Sequence, residues 1–193
     1  MKQTGFNETA DEIISLYERF GHEDYIGEPV SQLEHMCQCA QLAAEAGYDE
    51  EVILAAFFHD IGHLLEHIMP AGQMDGFGVV DHEKLGAGYL RDKGFSARIG
   101  KLVAAHVAAK RYLTFKHPAY FEQLSEASKR TLEFQGGVMT GAEASEFEAD
   151  PLHDLYIQFR KWDEAAKLEE VPVPPFDYFK QMMVWHLEAQ QAE

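Results

Sequence analysis

The chain has little sulfur chemistry: two cysteines, Cys37 and Cys39, in 193 residues. Two positions apart on a helix, they point in different directions, so a disulfide between them is geometrically poor. A reducing, cytoplasmic compartment is expected, and a thiolate cluster for soft metals is excluded. Long apolar runs are missing too. None approaches the ~20 residues that span a bilayer, and Lys2-Gln3-Thr4-Gly5 offers no apolar leader core. Positive charge is scarce, 16 Lys and Arg against 33 Asp and Glu, for a net charge of −17. Such a chain repels nucleic acid and anionic membrane, so neither is expected as a partner. An anionic small molecule would have to be held by a local cationic cluster or by metal. Repeats, low-complexity tracts and strand-like alternation are also absent.

What is present is helical periodicity. Hydrophobic residues make up 46% of the chain, enough for a globular core. Ile13, Leu16, Tyr17 and Phe20 follow an i, i+3, i+4, i+7 pattern, with Thr9 and Glu12 as its expected capping box. Residues 21–30, with two glycines and Pro29, read as a loop. Ser31 and Glu34 form a second capping box before the stripe Leu33, Met36, Cys37, Ala40, and Gly47 suits the position after that helix. Asp49 is expected to cap a helix over 50–67 whose centre, Val52 to Phe58, is apolar all round and belongs inside a bundle. Residues 69–80 read as a mobile loop. Helices are expected at 82–93, 96–110 and 119–134, a break at Gly136-Gly137, a helix from Asp150-Pro151 to about 168, a rigid linker over 171–175, and a last helix over 176–190. The fold class is therefore all-α: seven or eight helices in one domain spanning 1–193.

The chemistry sits in His59-Asp60-Ile61-Gly62-His63, on the most buried of these helices. Two imidazoles and a carboxylate are costly in an apolar core unless paired or bound to metal. Hydrogen-bonded core residues are the plain alternative, and would suffice for a lone histidine. A cluster favours metal. His35 lies on the apolar side of its helix, His82 opens a helix, His106 stands in an apolar stretch, and Asp163 follows Trp162 on an amphipathic helix. Imidazole and carboxylate suit zinc, manganese or iron. Lys110, one turn after His106, and Arg160, one turn before Asp163, share faces with these residues and supply local positive charge. His22, His67, His117, His153 and His186 are assigned no role.

The order His35, His59-Asp60, Asp163 resembles the HD-domain superfamily, over most of the chain. That resemblance implies that these four side chains hold one metal and that His82 and His106 hold a second, with Asp60 bridging. HD proteins include phosphohydrolases and a smaller group of di-iron oxygenases. Myo-inositol oxygenase shares the metal set but is longer, and its substrate region finds no match here. Tyr25-Ile26-Gly27-Glu28, His63, Lys110, Ser128 and Arg160 together resemble the PhnZ-type oxygenases, which cleave the carbon–phosphorus bond of a 1-hydroxy-2-aminoethylphosphonate. The resemblance implies an Fe(II)/Fe(III) pair with O2 as co-substrate. It further implies that Tyr25 ligates one iron transiently, that Glu28 responds to the substrate ammonium, and that His63 hydrogen-bonds the substrate. Lys110, Ser128 and Arg160 grip the phosphonate, with Ser125 one turn earlier as the competing serine.

The expected products are phosphate and either glycine or, for an N-trimethylated substrate, glycine betaine. A trimethylammonium would favour aromatic faces, for which Tyr25, Phe57, Phe58, Phe77, Tyr112 and Phe121 are candidates. The competing functions are an HD phosphohydrolase acting on a nucleotide or phosphate ester, with metal-bound hydroxide as nucleophile, and a non-enzymatic HD binding module.

Overall fold

Helical periodicity becomes helix almost everywhere in the computed structural model, which describes residues 2–192. The order is α1 (Lys2–Phe20), α2 (Gln32–Glu45), α3 (Glu50–Phe58), α4 (Ile61–Leu65), α5 (His82–Asp92), α6 (Ala97–Lys116), α7 (Pro118–Gln123), α8 (Glu126–Phe134), α9 (Gly141–Ala149), α10 (His153–Ala165) and α11 (Phe176–Gln190). No strand occurs among the described residues, only the isolated bridges Asp24–Ser31 and Gln73–Val79. The all-α expectation holds, and both cysteines are free and buried. Burial raises the thiol of Cys37 to about 12 and that of Cys39 above its usual value, so neither is a ready nucleophile.

Among the described residues eleven helices replace the expected seven or eight, because two of the expected helices are interrupted and α9 lies where none was expected. The helix expected over 50–67 breaks at His59-Asp60, where Asp60 leaves helical geometry at φ −103°, ψ 12°. The last carbonyls of α3 therefore lose their in-helix donors. Tyr17 Oη donates to Phe57 O at 2.8 Å, and His59 Nδ1 lies 2.8 Å from Ala56 O. The segment 119–134 is split at Leu124, in extended geometry, and Ser125 then caps α8. The helix α9 was not expected, although Thr140 and Glu143 form a complete capping box before it. Thr9 lies inside α1, because Phe6 packs on the core and carries the apolar stripe one turn upstream. Pro151 and Leu152 form a turn, so α10 starts at His153 and stops at Ala165. Buried Tyr112 and Leu113 carry α6 past residue 110 to Lys116.

The core is pinned where Phe57 stacks between Tyr17 and Phe179, at centroid distances of 4.3 and 3.9 Å. This joins α1, α3 and α11. Around it, α2 packs on α3, α5 on α6, and α10 on both α2 and α6. This packing brings α2, α3, α5, α6 and α10 against one another. The segment 69–80, expected to be mobile, is tied down by fully covered Val79 and by Met74 at 1% exposure.

Candidate metal centre and anion-binding cavity

Five helices bring His35 (α2), His59 and Asp60 (the α3–α4 break), His82 (α5), His106 (α6) and Asp163 (α10) together, all buried. Each histidine is fixed by the same device. Its Nδ1 faces a backbone carbonyl: Ala166 for His35 at 2.9 Å, Ala56 for His59 at 2.8 Å, Val79 for His82 at 3.2 Å and Val103 for His106 at 2.7 Å. In three of the four the carbonyl is three residues upstream. With Nδ1–H donating, each neutral ring turns an Nε2 lone pair inward.

These lone pairs meet in two couples. His35 Nε2 and His59 Nε2 are 3.0 Å apart, as are His82 Nε2 and His106 Nε2. Two lone pairs at that distance repel unless a cation lies with them. Asp60 stands between the couples. Its Oδ2 is 3.5 Å from His35 Nε2 and 3.4 Å from His59 Nε2, while its Oδ1 is 3.3 Å from His82 Nε2 and 3.4 Å from His106 Nε2. Asp163 Oδ1 joins the first couple, 3.4 Å from His35 Nε2. The nitrogen and carboxylate donors fit two ions of the zinc, manganese or iron class.

Burial alone would raise the Asp60 carboxyl, but His59, His106 and His35 hold it well below the carboxylate range. Asp163 is likewise held down, against burial, by Arg160, His35 and His59. Despite burial, Asp163 and Asp60 raise His35, and Asp60 and Cys39 raise His59, so protons compete with a metal for those rings.

His63 also lies within ligand reach of Asp60 and His82. Its Nδ1, however, accepts the Val79 N–H at 3.1 Å, so its proton sits on Nε2 and it is a donor rather than a ligand. The Val79 backbone thus orients two rings at once, through its N–H to His63 and its carbonyl to His82. The two rings stack at 4.1 Å, and burial with the neighbouring His82 lowers His63 to about 3, leaving it neutral.

The centre opens into a cavity of about 240 Å³ that reaches Tyr25, Glu28, His63, Lys110, Ser128 and Arg160. Tyr25 stacks on His35 at 4.1 Å. Burial, Asp60 and Asp163 push its phenol well up, so it is neutral. Tyr25 and Glu28 close a turn in which Glu28 N–H donates to Tyr25 O at 2.9 Å. Gly27 stands in it at φ +80°, and a Cβ there would lie 2.8 Å from Ala127, so both backbone and space demand glycine. Lys110 is 3% exposed and donates to Thr131 Oγ1 at 2.9 Å; burial and Arg160 lower it to about 7. Arg160 donates through Nε to Tyr120 and Glu164 and through Nη1 to Asp163, while its buried Nη2 has no partner. Ser128 lines the cavity, whereas the Ser125 hydroxyl caps α8 by accepting from Ser128 N–H at 3.2 Å.

Among the cavity-lining residues without a sequence signal, Gln32 and Gln135 stand out. The Gln32 and Gln135 side-chain carbonyls are buried without a partner; a glutamine at a helix end carries no signal of this. Of the aromatic candidates, only Tyr25 and Phe77 line the cavity. Phe57 and Phe58 are core residues, Tyr112 stacks on Phe147, and Lys129 lies over Phe121. No helix among the described residues is long and apolar enough to cross a membrane.

Comparison with known proteins adds the family. The HD domain family matches residues 33–135. The chain is 45% identical over 175 residues to uncharacterized protein L432 of Acanthamoeba polyphaga mimivirus, covering 91% of this chain and 80% of that one. It is 41% identical over 171 residues to the [1-hydroxy-2-(trimethylamino)ethyl]phosphonate dioxygenase (glycine-betaine-forming) of Leisingera caerulea, covering 89% and 86%. It is 39% identical over 170 residues to the hydroxymethylphosphonate dioxygenase of Gimesia maris, covering 85% and 82%. The paired histidines around Asp60 and these relatives together place the chain in the HD-domain family, among its phosphonate-cleaving oxygenases.

Proposed function

We propose that the enzyme uses O2 to cleave the C–P bond of a small 1-hydroxyalkylphosphonate, a 1-hydroxy-2-aminoethylphosphonate with its amine free or N-trimethylated. One O2 is consumed, C1 leaves as a carboxylate and phosphorus as phosphate. Glycine or glycine betaine is the organic product. Atoms balance with no further co-reactant. The observation that carries this reading is buried Arg160, whose Nη2 has no partner and which lines, with Lys110, a cavity also lined by His82, His106, Asp60 and Asp163. A buried cationic donor without an acceptor is costly, and a phosphonate oxygen is the matching ligand.

His35, His59 and Asp163 would hold one iron and His82 and His106 the other, with Asp60 shared between them. An Fe(II)/Fe(III) pair supplies the redox chemistry with O2, which no side chain here can perform. The protein contributes position and charge. Arg160, Lys110 and Ser128 grip the phosphonate. His63 keeps its proton on Nε2 and donates it toward the substrate oxygens. Tyr25 covers the His35 face of the centre and yields to the substrate. Glu28 faces the nitrogen end.

The test is phosphorus NMR of an iron-loaded sample with each aminated substrate, aerobically and under nitrogen. Conversion of phosphonate to phosphate in air, with glycine or glycine betaine in the carbon spectrum, is expected. Conversion that proceeds equally under nitrogen would overturn the reading in favour of hydrolysis.

A further inference from the structure

Glu28, whose side chain is 9% exposed, does not face the cavity as a free carboxylate. Lys167 Nζ lies 2.5 Å from its Oε1 and 5.9 Å from the centroid of the Tyr25 ring. The lysine is itself outside the cavity lining.

The placement of Lys167 is built from both sides. On one side the carbonyl of Ala166 faces His35 Nδ1 at 2.9 Å. On the other, Leu168 exchanges two hydrogen bonds with the Gln38 amide, N–H to Oε1 at 3.0 Å and O from Nε2 at 2.9 Å. The backbone that carries Lys167 is therefore locked to α2, while the side chain keeps 16% exposure and a path to solvent. An ammonium beside a carboxylate and over an aromatic ring is the environment that would recognise an alkylammonium ligand. Here the protein supplies that ammonium.

We propose that Lys167 is a specificity-determining residue: an ammonium belonging to the protein that occupies Glu28 and that a substrate's own ammonium must displace. This rests on the phosphonate reading above. A primary ammonium reaches Glu28 by exchanging like for like, with Lys167 swinging to solvent, so it gains only the difference between two similar pairs. A phosphonate without nitrogen leaves the Glu28–Lys167 pair intact and loses nothing. Lys167 thus levels the affinities of aminated and unaminated phosphonates, and its removal makes the cavity prefer cations.

The test compares 2-aminoethylphosphonate with ethylphosphonate, which differ in one ammonium, by titration calorimetry on the iron-loaded protein under nitrogen. Wild type, Lys167→Met and Lys167→Arg are measured. Lys167→Met keeps the apolar stem and removes the charge. It should tighten 2-aminoethylphosphonate by about tenfold, the scale of one hydrogen bond between charged groups, and leave ethylphosphonate within about twofold. Lys167→Arg should behave as wild type. Both ligands binding with an unmoved ratio in Lys167→Met would overturn the Lys167 assignment alone. Neither ligand binding to any of the three proteins would remove the phosphonate reading and the assignment with it.

Discussion

Gly62 offers a clean way to separate the two metal positions. It stands in α4 where the backbone of α5 crosses, and a Cβ there would lie 2.0 Å from the carbonyl oxygen of His82. Ordinary contact begins at 3.4 Å, so Gly62→Ala forces a separation of about 1.4 Å at the residue that carries a proposed ligand. His82 Nε2 lies 3.0 Å from His106 Nε2 and 3.3 Å from Asp60 Oδ1. A metal site tolerates displacements of only about 0.5 Å. The His82–His106 position should therefore be lost, while His35, His59 and Asp163, which α4 and α5 do not carry, keep theirs. Elemental analysis after anaerobic iron loading should fall from about two irons per chain to about one, and phosphate release should drop by at least about a hundredfold. The overpacking should cost roughly 1–3 kcal/mol, visible as a lower Tm. His82→Ala, with no clash, should show the same half-loading and a smaller loss of stability. Full loading and a wild-type rate in Gly62→Ala would refute the reasoning.

Three further outcomes follow from the cavity. Arg160→Lys keeps a charge but cannot reproduce the bonds of Nε and Nη1 while also offering a free Nη2 donor, so KM for the phosphonate should rise about tenfold or more with a smaller fall in kcat; an unchanged KM would show that Nη2 is not an anion donor. Tyr25→Phe should raise oxygen consumption uncoupled from phosphate release, measured with an oxygen electrode, and unchanged coupling would remove its role. Lys110 is lowered to about 7 by burial and Arg160, so its charge is present below that pH and lost above it. KM should thus climb from pH 6 to 8 in wild type and flatten in Lys110→Arg, whose charge does not titrate in this range; parallel profiles would show that Lys110 does not grip the anion.

Why some of this could be read from sequence and some not is a matter of range. The histidines and aspartates stand on separate, strongly periodic helices, so burial and chemistry were legible from pattern alone. The break at His59-Asp60 was not, because it is set by what the rings and carboxylate face: Tyr17 Oη and His59 Nδ1 replace the lost helical donors from outside the local pattern. The Thr140–Glu143 box was legible and signals α9, but the glycines at 136 and 137 drew attention to the break before it. In the site, Tyr25 and Glu28 were singled out while their loop path was not derivable. That path depends on Gly27 meeting Ala127, 100 positions away in sequence. The pairing of Glu28 with Lys167 spans 139 positions, and nothing local announces it. Gln32 and Gln135 acquire meaning only once the cavity exists.

The central claim is that O2, directed at a 1-hydroxyphosphonate held by Arg160 and Lys110, breaks the C–P bond. The most direct test is to follow oxygen uptake and phosphate release together in the iron-loaded enzyme. The substrates are (R)-2-amino-1-hydroxyethylphosphonate, its N-trimethyl analogue and hydroxymethylphosphonate. The account predicts one phosphate per O2 with at least one of the two aminated compounds and none without oxygen. Phosphate released without oxygen, or none from any of the three by a protein shown to hold two irons, would contradict it.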